Sequence, residues 1–276
     1  MTKAFSKNLL QRIVSALTLL PLVLGALWLG GWWWTAFLLL GGVLMAREWV
    51  ALTIGTTVTS GKIYSALLCL IVVLGVVHAE LTQPDILLRL NELALVAALG
   101  MVFVLTGRAP SLGWFFLGIV YVGAPLLTLW WLRSLDEGQT VFWLLFIVWA
   151  TDVGGYFFGK AIGGPKLAPR VSPKKTWAGL VGGMAVSVAV SVLIAQFFHL
   201  TTGLFVLVTL SALLPVWAQV GDLVESGIKR HFDVKDSGEL IPGHGGLLDR
   251  VDGLVFVAPA MAMLVYFLPH LFLVGS

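Results

Sequence analysis

Residues 203–252 read GLFVLVTLSALLPVWAQVGDLVESGIKRHFDVKDSGELIPGHGGLLDRVD. The run up to position 228 is almost wholly apolar and exceeds the about 20 residues a helix needs to cross a bilayer. It lacks the strict apolar and polar alternation of a barrel strand. The tract that follows gathers Lys229, Arg230, Lys235, Asp236, Glu239, His244, Asp249, Arg250 and Asp252. A chain that uses charge so sparingly elsewhere is not using this tract as packing. The composition points to anionic chemistry at a membrane surface.

The same alternation of long apolar runs and short polar joints extends over the whole chain. Of its 276 residues 59% are hydrophobic and 11% charged, where a soluble domain has about half and a quarter. Nine candidate spans follow: 12–30, 32–54, 63–79, 86–106, 113–134, 139–160, 177–198, 203–228 and 252–274. The expected fold is all-α and polytopic. It forms a single membrane domain over 1–276, with apolar helices in 1–135 and catalytic helices and loops in 136–276. The basic start followed by a long apolar run, with no small-residue cleavage site, reads as a retained first helix. Span four carries Arg89, Asn91 and Glu92 in its first turns. Trp32, Trp33 and Trp34 suit the half-wet interface. The lone Cys69 reads as a small hydrophobe facing a neighbouring helix. It offers no internal disulfide and no cysteine metal site.

Lysine and arginine set the expected orientation. With a cytoplasmic N-terminus and nine crossings, all of the 17 Lys and Arg residues except Arg89 and Arg133 fall on the inner side. That bias is the positive-inside pattern. It brings the loop at 161–176, the loop at 229–251 and the inner ends of spans six, eight and nine to one face.

Four constellations on that face can carry chemistry. Asp222, Ser226 and Lys229 are spaced i, i+4, i+7, which puts a carboxylate, a hydroxyl and an amine on one helix face. Snorkelling at a helix end explains Lys229 and Arg230 but not Asp222, because an unpaired acid in lipid is costly. Asp249 and Asp252 lie i, i+3 at the start of span nine. One of them suits a helix N-terminus, and two beside Asp222 are better explained by a divalent cation such as Mg²⁺. Gly245 and Gly246 admit close approach of an anion to backbone N–H groups. They also suit a plain turn, and His244 reads equally as a phosphate donor or a loop histidine. Ser172, Lys174, Lys175 and Thr176 precede span seven, where phosphate binding at a helix N-terminus and ordinary positive-inside retention both fit. Finally, Asp152 is an intramembrane acid beside Gly154, Gly155 and Gly159, which suit close helix packing. Carboxylates, lysines and hydroxyls around a membrane-level cavity are the apparatus of phosphoryl or nucleotidyl transfer.

The run Ser226-x-Ile-Lys229-Arg230-x4-Lys235-Asp236-x-Gly238-x2-Ile241-Pro242-x-His244-Gly245-Gly246-Leu247-x-Asp249-Arg250-Val251-Asp252 resembles the signature of the phosphatidate cytidylyltransferase (CDP-diacylglycerol synthase) family over its full length. Asp152-x-Gly-Gly-Tyr-Phe-x-Gly and Ser172-Pro-Lys-Lys-Thr176 resemble further family segments. Ala178 departs from the pattern, since many members carry Glu or Gln there, so any polar role of that position is absent. The resemblance implies CTP and phosphatidate as substrates, CDP-diacylglycerol and pyrophosphate as products, and a Mg²⁺ requirement with K⁺ in the same cluster. On that expectation Asp222 and Asp249 hold the metal with Ser226 and Asp252 as partners. Lys174, Lys175, Lys229 and Arg230 bind the triphosphate or the lipid phosphate, undivided between the two. Asp152 joins the catalytic set, and Ser172, Thr176, Lys235, His244, Gly245, Gly246 and Arg250 join the substrate-binding set. The expected setting is a bacterial inner membrane, with the site facing the cytoplasm and lipid tails entering laterally. A homodimer is an expected assembly, and no nucleic acid is expected.

Two rivals share parts of this pattern. A CTP-dependent polyprenol or phytol kinase would use the same lysines and acids but release CDP. An ion-coupled transporter would place acids near the midplane within inverted repeats; no repeat is visible here and the charges cluster at one face.

Overall fold

The computed structural model describes residues 17–56, 59–82, 85–107, 109–198, 203–241 and 245–271. Among these, helices dominate. They are α1 (Leu17–Leu29), α2 (Gly31–Thr53), α3 (Thr59–Thr82), α4 (Ile86–Thr106), α5 (Pro110–Leu135), α6 (Gln139–Ala161), α7 (Trp177–Phe198), α8 (Leu204–His231) and α9 (Leu248–Phe267). A 3₁₀ turn, Pro269–Leu271, follows α9. α2 to α9 are the eight described helices long and apolar enough to cross a membrane, so the chain is an all-α integral membrane protein. In lipid only a helix or a closed barrel satisfies every backbone polar group, which is why these runs become helices. Part of the first expected span lies outside the described residues, and α1 is its described remainder.

Local signals fix several helix ends. Asp85 caps α4, its carboxylate accepting from Leu87 N at 2.7 Å and Leu88 N at 3.3 Å. The charges that weakened the fourth span are accommodated there: Arg89 pairs with Glu92 at 2.8 Å. The tryptophan cluster divides. Trp32 and Trp33 are exposed, while Trp34 is buried and stacked on Phe37. Three consecutive helical residues cannot share one face, so the expectation that all three sit at the interface fails for Trp34. Cys69 lies as expected, its thiol 3.7 Å from Val43 O on α2.

The chain forms two compact units. One comprises residues 1–131 with 232–251, the other 132–231 with 252–276. In the first, α2 and α3 pack side by side, and a Cβ on Gly42 would meet Leu126 at 2.5 Å and Val72 at 2.7 Å. Trp49 donates to Trp114 O at 2.9 Å and stacks on Tyr121. Glu80 accepts from Thr35 Oγ1 at 2.7 Å and Trp130 Nε1 at 2.6 Å, which satisfies an acid near the end of a span.

In the second unit α7 packs against both α6 and α8. A Cβ on Gly154 would lie 2.9 Å from Gly182 O, and one on Gly182 would lie 2.3 Å from the Phe158 side chain. The glycines around Asp152 therefore do serve helix packing. The segment after α6 holds a short antiparallel hairpin that the sequence reading left as loop: β1 (Lys166–Ala168) with β2 (Ser172–Thr176). Its second strand leads directly into α7.

Candidate active site

In the second unit the C-terminal part of α8 carries Asp222, Glu225, Ser226 and Lys229 in successive turns. Ser226 Oγ donates to Asp222 Oδ1 at 3.3 Å, as the i, i+4 spacing requires. Lys229 pairs with Glu225 at 2.9 Å, with both residues buried. The strand β2 supplies the group that sequence spacing could not place: Lys175 Nζ donates to Asp222 Oδ2. Extended geometry alternates side chains between faces, so Lys174 is exposed while Lys175 turns inward beside Asp222.

The field around Lys175 comes from several elements. Asp252 on α9, Asp152 on α6 and Glu225 on α8 attract its charge, and Lys229 opposes it. Burial outweighs them all and brings its pKa down to about 8 from the ordinary 10.5. With Asp222 included, four carboxylates face two ammonium groups, which leaves a surplus of two negative charges. α8 and α9 approach closely here, for a Cβ on Gly221 would lie 2.5 Å from Asp252 O. Gln219, one turn before Asp222, holds its amide Nε2 buried and without a hydrogen-bond partner among the described residues.

Thr176 has a different occupation. Buried at the end of β2, its hydroxyl accepts from Gly179 N at 3.1 Å and so caps the first turn of α7. Ser172 and Lys174 stand on the same strand, half-buried and exposed respectively. Lys160 lies over the Tyr156 ring at 5.7 Å, a cation–π contact. Arg230 is exposed at the end of α8.

The first unit contains the loop portion of the charged tract, and there the acids are engaged by backbone. Asp249 Oδ2 accepts from Ser237 N at 2.9 Å, Ser237 Oγ at 3.0 Å and Gly246 N at 2.8 Å. Glu48, on α2, accepts from Leu247 N at 2.8 Å, Leu248 N at 2.9 Å and Ser237 Oγ at 3.2 Å. A buried carboxylate 200 residues away in sequence thus holds the N-terminus of α9, where the helix dipole favours negative charge. Gly245 adopts φ +86°, a conformation glycine tolerates best. A Cβ on Gly246 would fall 2.1 Å from Ser237 Oγ and 2.6 Å from Glu48 Oε2, so a side chain there would break the clamp. Lys235 and Arg250 are exposed, and His244 lies outside the described residues.

Sequence reasoning passed over Glu225 and Glu48. Both had a readable signal, an ionisable residue within an apolar span, which marks a functional candidate by default. Among the described residues no three acidic, histidine or cysteine side chains converge on one point suited to a metal ion. The donor set around Asp222 nevertheless has the right chemistry, hard carboxylate and hydroxyl oxygens with excess negative charge, for a divalent cation.

A polytopic helical membrane protein with carboxylates and lysines gathered on α6, β2, α8 and α9 defines a class of enzymes that act on phosphate-bearing substrates at a membrane. The particular class follows from comparison: residues 10–268 match the cytidylyltransferase family, and the chain belongs to it. It is a nucleotidyltransferase. The chain is 39% identical over 273 residues to the phosphatidate cytidylyltransferase of Brucella suis biovar 1 (strain 1330), a match covering 96% of this chain and 94% of that protein. It is 40% identical over 164 residues to the phosphatidate cytidylyltransferase of Bacillus subtilis (strain 168), covering 59% of this chain and 60% of that one.

Proposed function

We propose that the chain transfers the cytidylyl group of CTP to phosphatidate, giving CDP-diacylglycerol and pyrophosphate. The observation that carries this reading is the acid-rich cluster centred on the Lys175–Asp222 pair in a chain of this family. A phosphatidate phosphate oxygen bonds to the α-phosphorus of CTP as the bond from that phosphorus to the pyrophosphate oxygen breaks. Pyrophosphate carries the electron pair away. The attacking monoester is already an anion, so the protein needs no nucleophile of its own. Its task is positioning and charge stabilisation.

Asp222 with Ser226 and Asp252 would hold a divalent cation, Mg²⁺ on the donor chemistry, with K⁺ an additional candidate from the family resemblance. The divalent ion supplies neutralisation of the triphosphate and of the leaving pyrophosphate. Lys175 and Lys174 would face the anionic substrates, Lys175 from within the acid cluster and Lys174 from its exposed side. Lys229 pairs with Glu225 and fixes its carboxylate one turn after Asp222, and Asp152 adds to the field on Lys175. Asp249 acts foremost by closing the loop that carries Gly245 and Gly246. The active side faces the cytoplasm of a bacterium, the protein sits in the inner membrane, and the positive-inside distribution of Lys and Arg supports this orientation.

Purified protein incubated with labelled CTP, phosphatidate and MgCl₂ should yield CDP-diacylglycerol and pyrophosphate in equal amounts. Release of CDP with no lipid cytidylate would overturn the reading in favour of a CTP-dependent lipid kinase.

A further inference from the structure

The hairpin end of the second unit carries charge that the acid cluster does not engage. Lys160 lies in the last turn of α6, Lys166 opens β1, Arg170 stands in the turn of the hairpin and Lys174 lies on β2. All four are exposed, and among the described residues none of them makes an ion pair. No acidic residue occurs in the sequence between Asp152 and Asp222. The acids of this unit that reach the hairpin are Asp222, bonded to Lys175, and Asp152, Asp252 and Glu225, which attract that same residue. Their cluster has a surplus of two negative charges, so four exposed cations outweigh it.

The element that bears these cations is fixed in place. Gly163 and Gly164 take φ +69° and +86°, which lets the chain leave α6 in a sharp turn. Trp177 N donates to Pro165 O at 3.1 Å and ties the base of the hairpin to the start of α7. The hairpin therefore stands at the ends of two membrane spans, the level of lipid headgroups. Tyr156 and Phe157 on α6 and Trp177 opening α7 are exposed at the same end, as aromatic side chains are at a membrane–water interface. Positive-inside retention accounts for lysines anywhere in this connection, but not for a pinned hairpin that holds them among exposed aromatic rings. An acidic soluble partner would match the cations alone. Cations and aromatic rings together match the headgroup layer.

We propose that this end of the second unit is a docking surface for anionic phospholipid headgroups of the surrounding bilayer. Lys160, Lys166 and Arg170 meet the headgroup phosphates, while Tyr156, Phe157 and Trp177 lie among the glycerol ends of the lipids. The docking itself does not require the transfer reaction. Resting on that proposed reaction, the surface also gathers the anionic lipid substrate next to Lys174 and Lys175.

The test uses the full-length protein in phosphatidylcholine vesicles without CTP, with a bimane label on a Pro169→Cys variant in a Cys69→Ser background. Pro169 is exposed in the hairpin turn, so quenching of the label by spin-labelled lipids reports the lipids at the hairpin and needs no turnover. Spin-labelled phosphatidylglycerol and phosphatidate should each be favoured over spin-labelled phosphatidylcholine about fivefold, the scale of one basic residue near an anionic surface. About 1 M salt should remove the preference, because the Debye length falls to about 3 Å. Lys160→Gln with Lys166→Gln and Arg170→Gln should remove it as well. Lys160→Arg with Lys166→Arg should retain it, which separates loss of charge from loss of fold. Equal quenching by all three lipids, a preference for phosphatidate alone, or a preference that survives the triple replacement would each overturn the proposal. Absence of cytidylyl transfer with the lipid preference intact would count against the proposed reaction and leave the docking surface standing.

Discussion

Glu48 and Asp249 in the first unit accept hydrogen bonds from backbone N–H groups and a serine hydroxyl. Asp222 and Glu225 in the second are each paired with an ammonium group. Asp249 lies close in sequence to Asp222 and Glu225, with Glu48 some 200 positions before it, yet the two sets solve different problems. A buried carboxylate surrounded by backbone donors is a structural fastening, since its partners cannot move without breaking the loop. A carboxylate paired with lysines amid surplus acid is responsive, because a ligand or an ion can take the place of either partner. The difference teaches that a dense charged motif need not be chemistry throughout. Part of it builds the loop, and on the proposed function another part would meet the substrate.

The sharpest way to break this contrast is Asp222→Asn. If the second cluster is the chemical one, pyrophosphate release should fall by roughly 10³-fold, the scale of removing a group that stabilises developing charge. The thermal midpoint in detergent should change little, because Asn keeps the shape of the side chain and Asp252, Asp152 and Glu225 still attract the Lys175 charge. A variant that retains a tenth of the wild-type rate would move the chemistry elsewhere.

Glu48→Ala probes the fastening. It leaves Leu247 N and Leu248 N without their acceptor while Ser237 Oγ keeps Asp249, and a buried donor left unmade costs about 1–3 kcal/mol. The expected result is a clear drop in thermal midpoint, with activity per folded molecule at low temperature reduced far less than by Asp222→Asn. Full stability with abolished turnover would instead place Glu48 among the chemical groups.

How much of this was legible beforehand depends on the range of the interaction. The spans were legible because a bilayer leaves a long apolar run no alternative to helix. Asp222 and Ser226 were legible as a pair because one helical turn joins them. Lys175 was singled out as a phosphate ligand, but its partnership with Asp222 arises from a hairpin whose strands are short, polar and interrupted by Pro173, so neither periodicity nor propensity announced it. The Glu48 clamp joins residues 189 to 200 positions apart, and no local rule reports such a contact. Trp34 shows the converse error: a residue preference was extended to three neighbours that a helix must point in different directions.

A smaller effect concerns pH. Lys175 titrates near 8 because burial disfavours its charge. It is charged below that value and neutral above it, so substrate binding that relies on its ammonium should weaken about tenfold per unit once pH exceeds 8. Between about 8 and 10.5 the unfolded chain holds a proton that the folded chain lacks, so this residue makes folding more favourable as pH rises. Lys175→Arg keeps its charge throughout and should flatten the alkaline limb of the kcat/KM profile. An unchanged limb in that variant would assign the titration to another group.

The smallest effect tests the border between the two kinds of residue. Thr176 stands next to Lys175 and was expected to bind substrate, yet its hydroxyl caps α7 through Gly179 N. Thr176→Val keeps the shape and removes the cap, a loss of about 1 kcal/mol. If capping is its whole role, the thermal midpoint should fall slightly while KM for CTP and for phosphatidate stays within twofold of wild type. A KM rise with an unchanged midpoint would mean that the hydroxyl reaches substrate and that the chemical cluster extends one residue further along β2. Because Lys175 and Thr176 are adjacent on a strand, their side chains leave it on opposite faces. That geometry is why one neighbour can fasten a helix while the other meets the acids of α8.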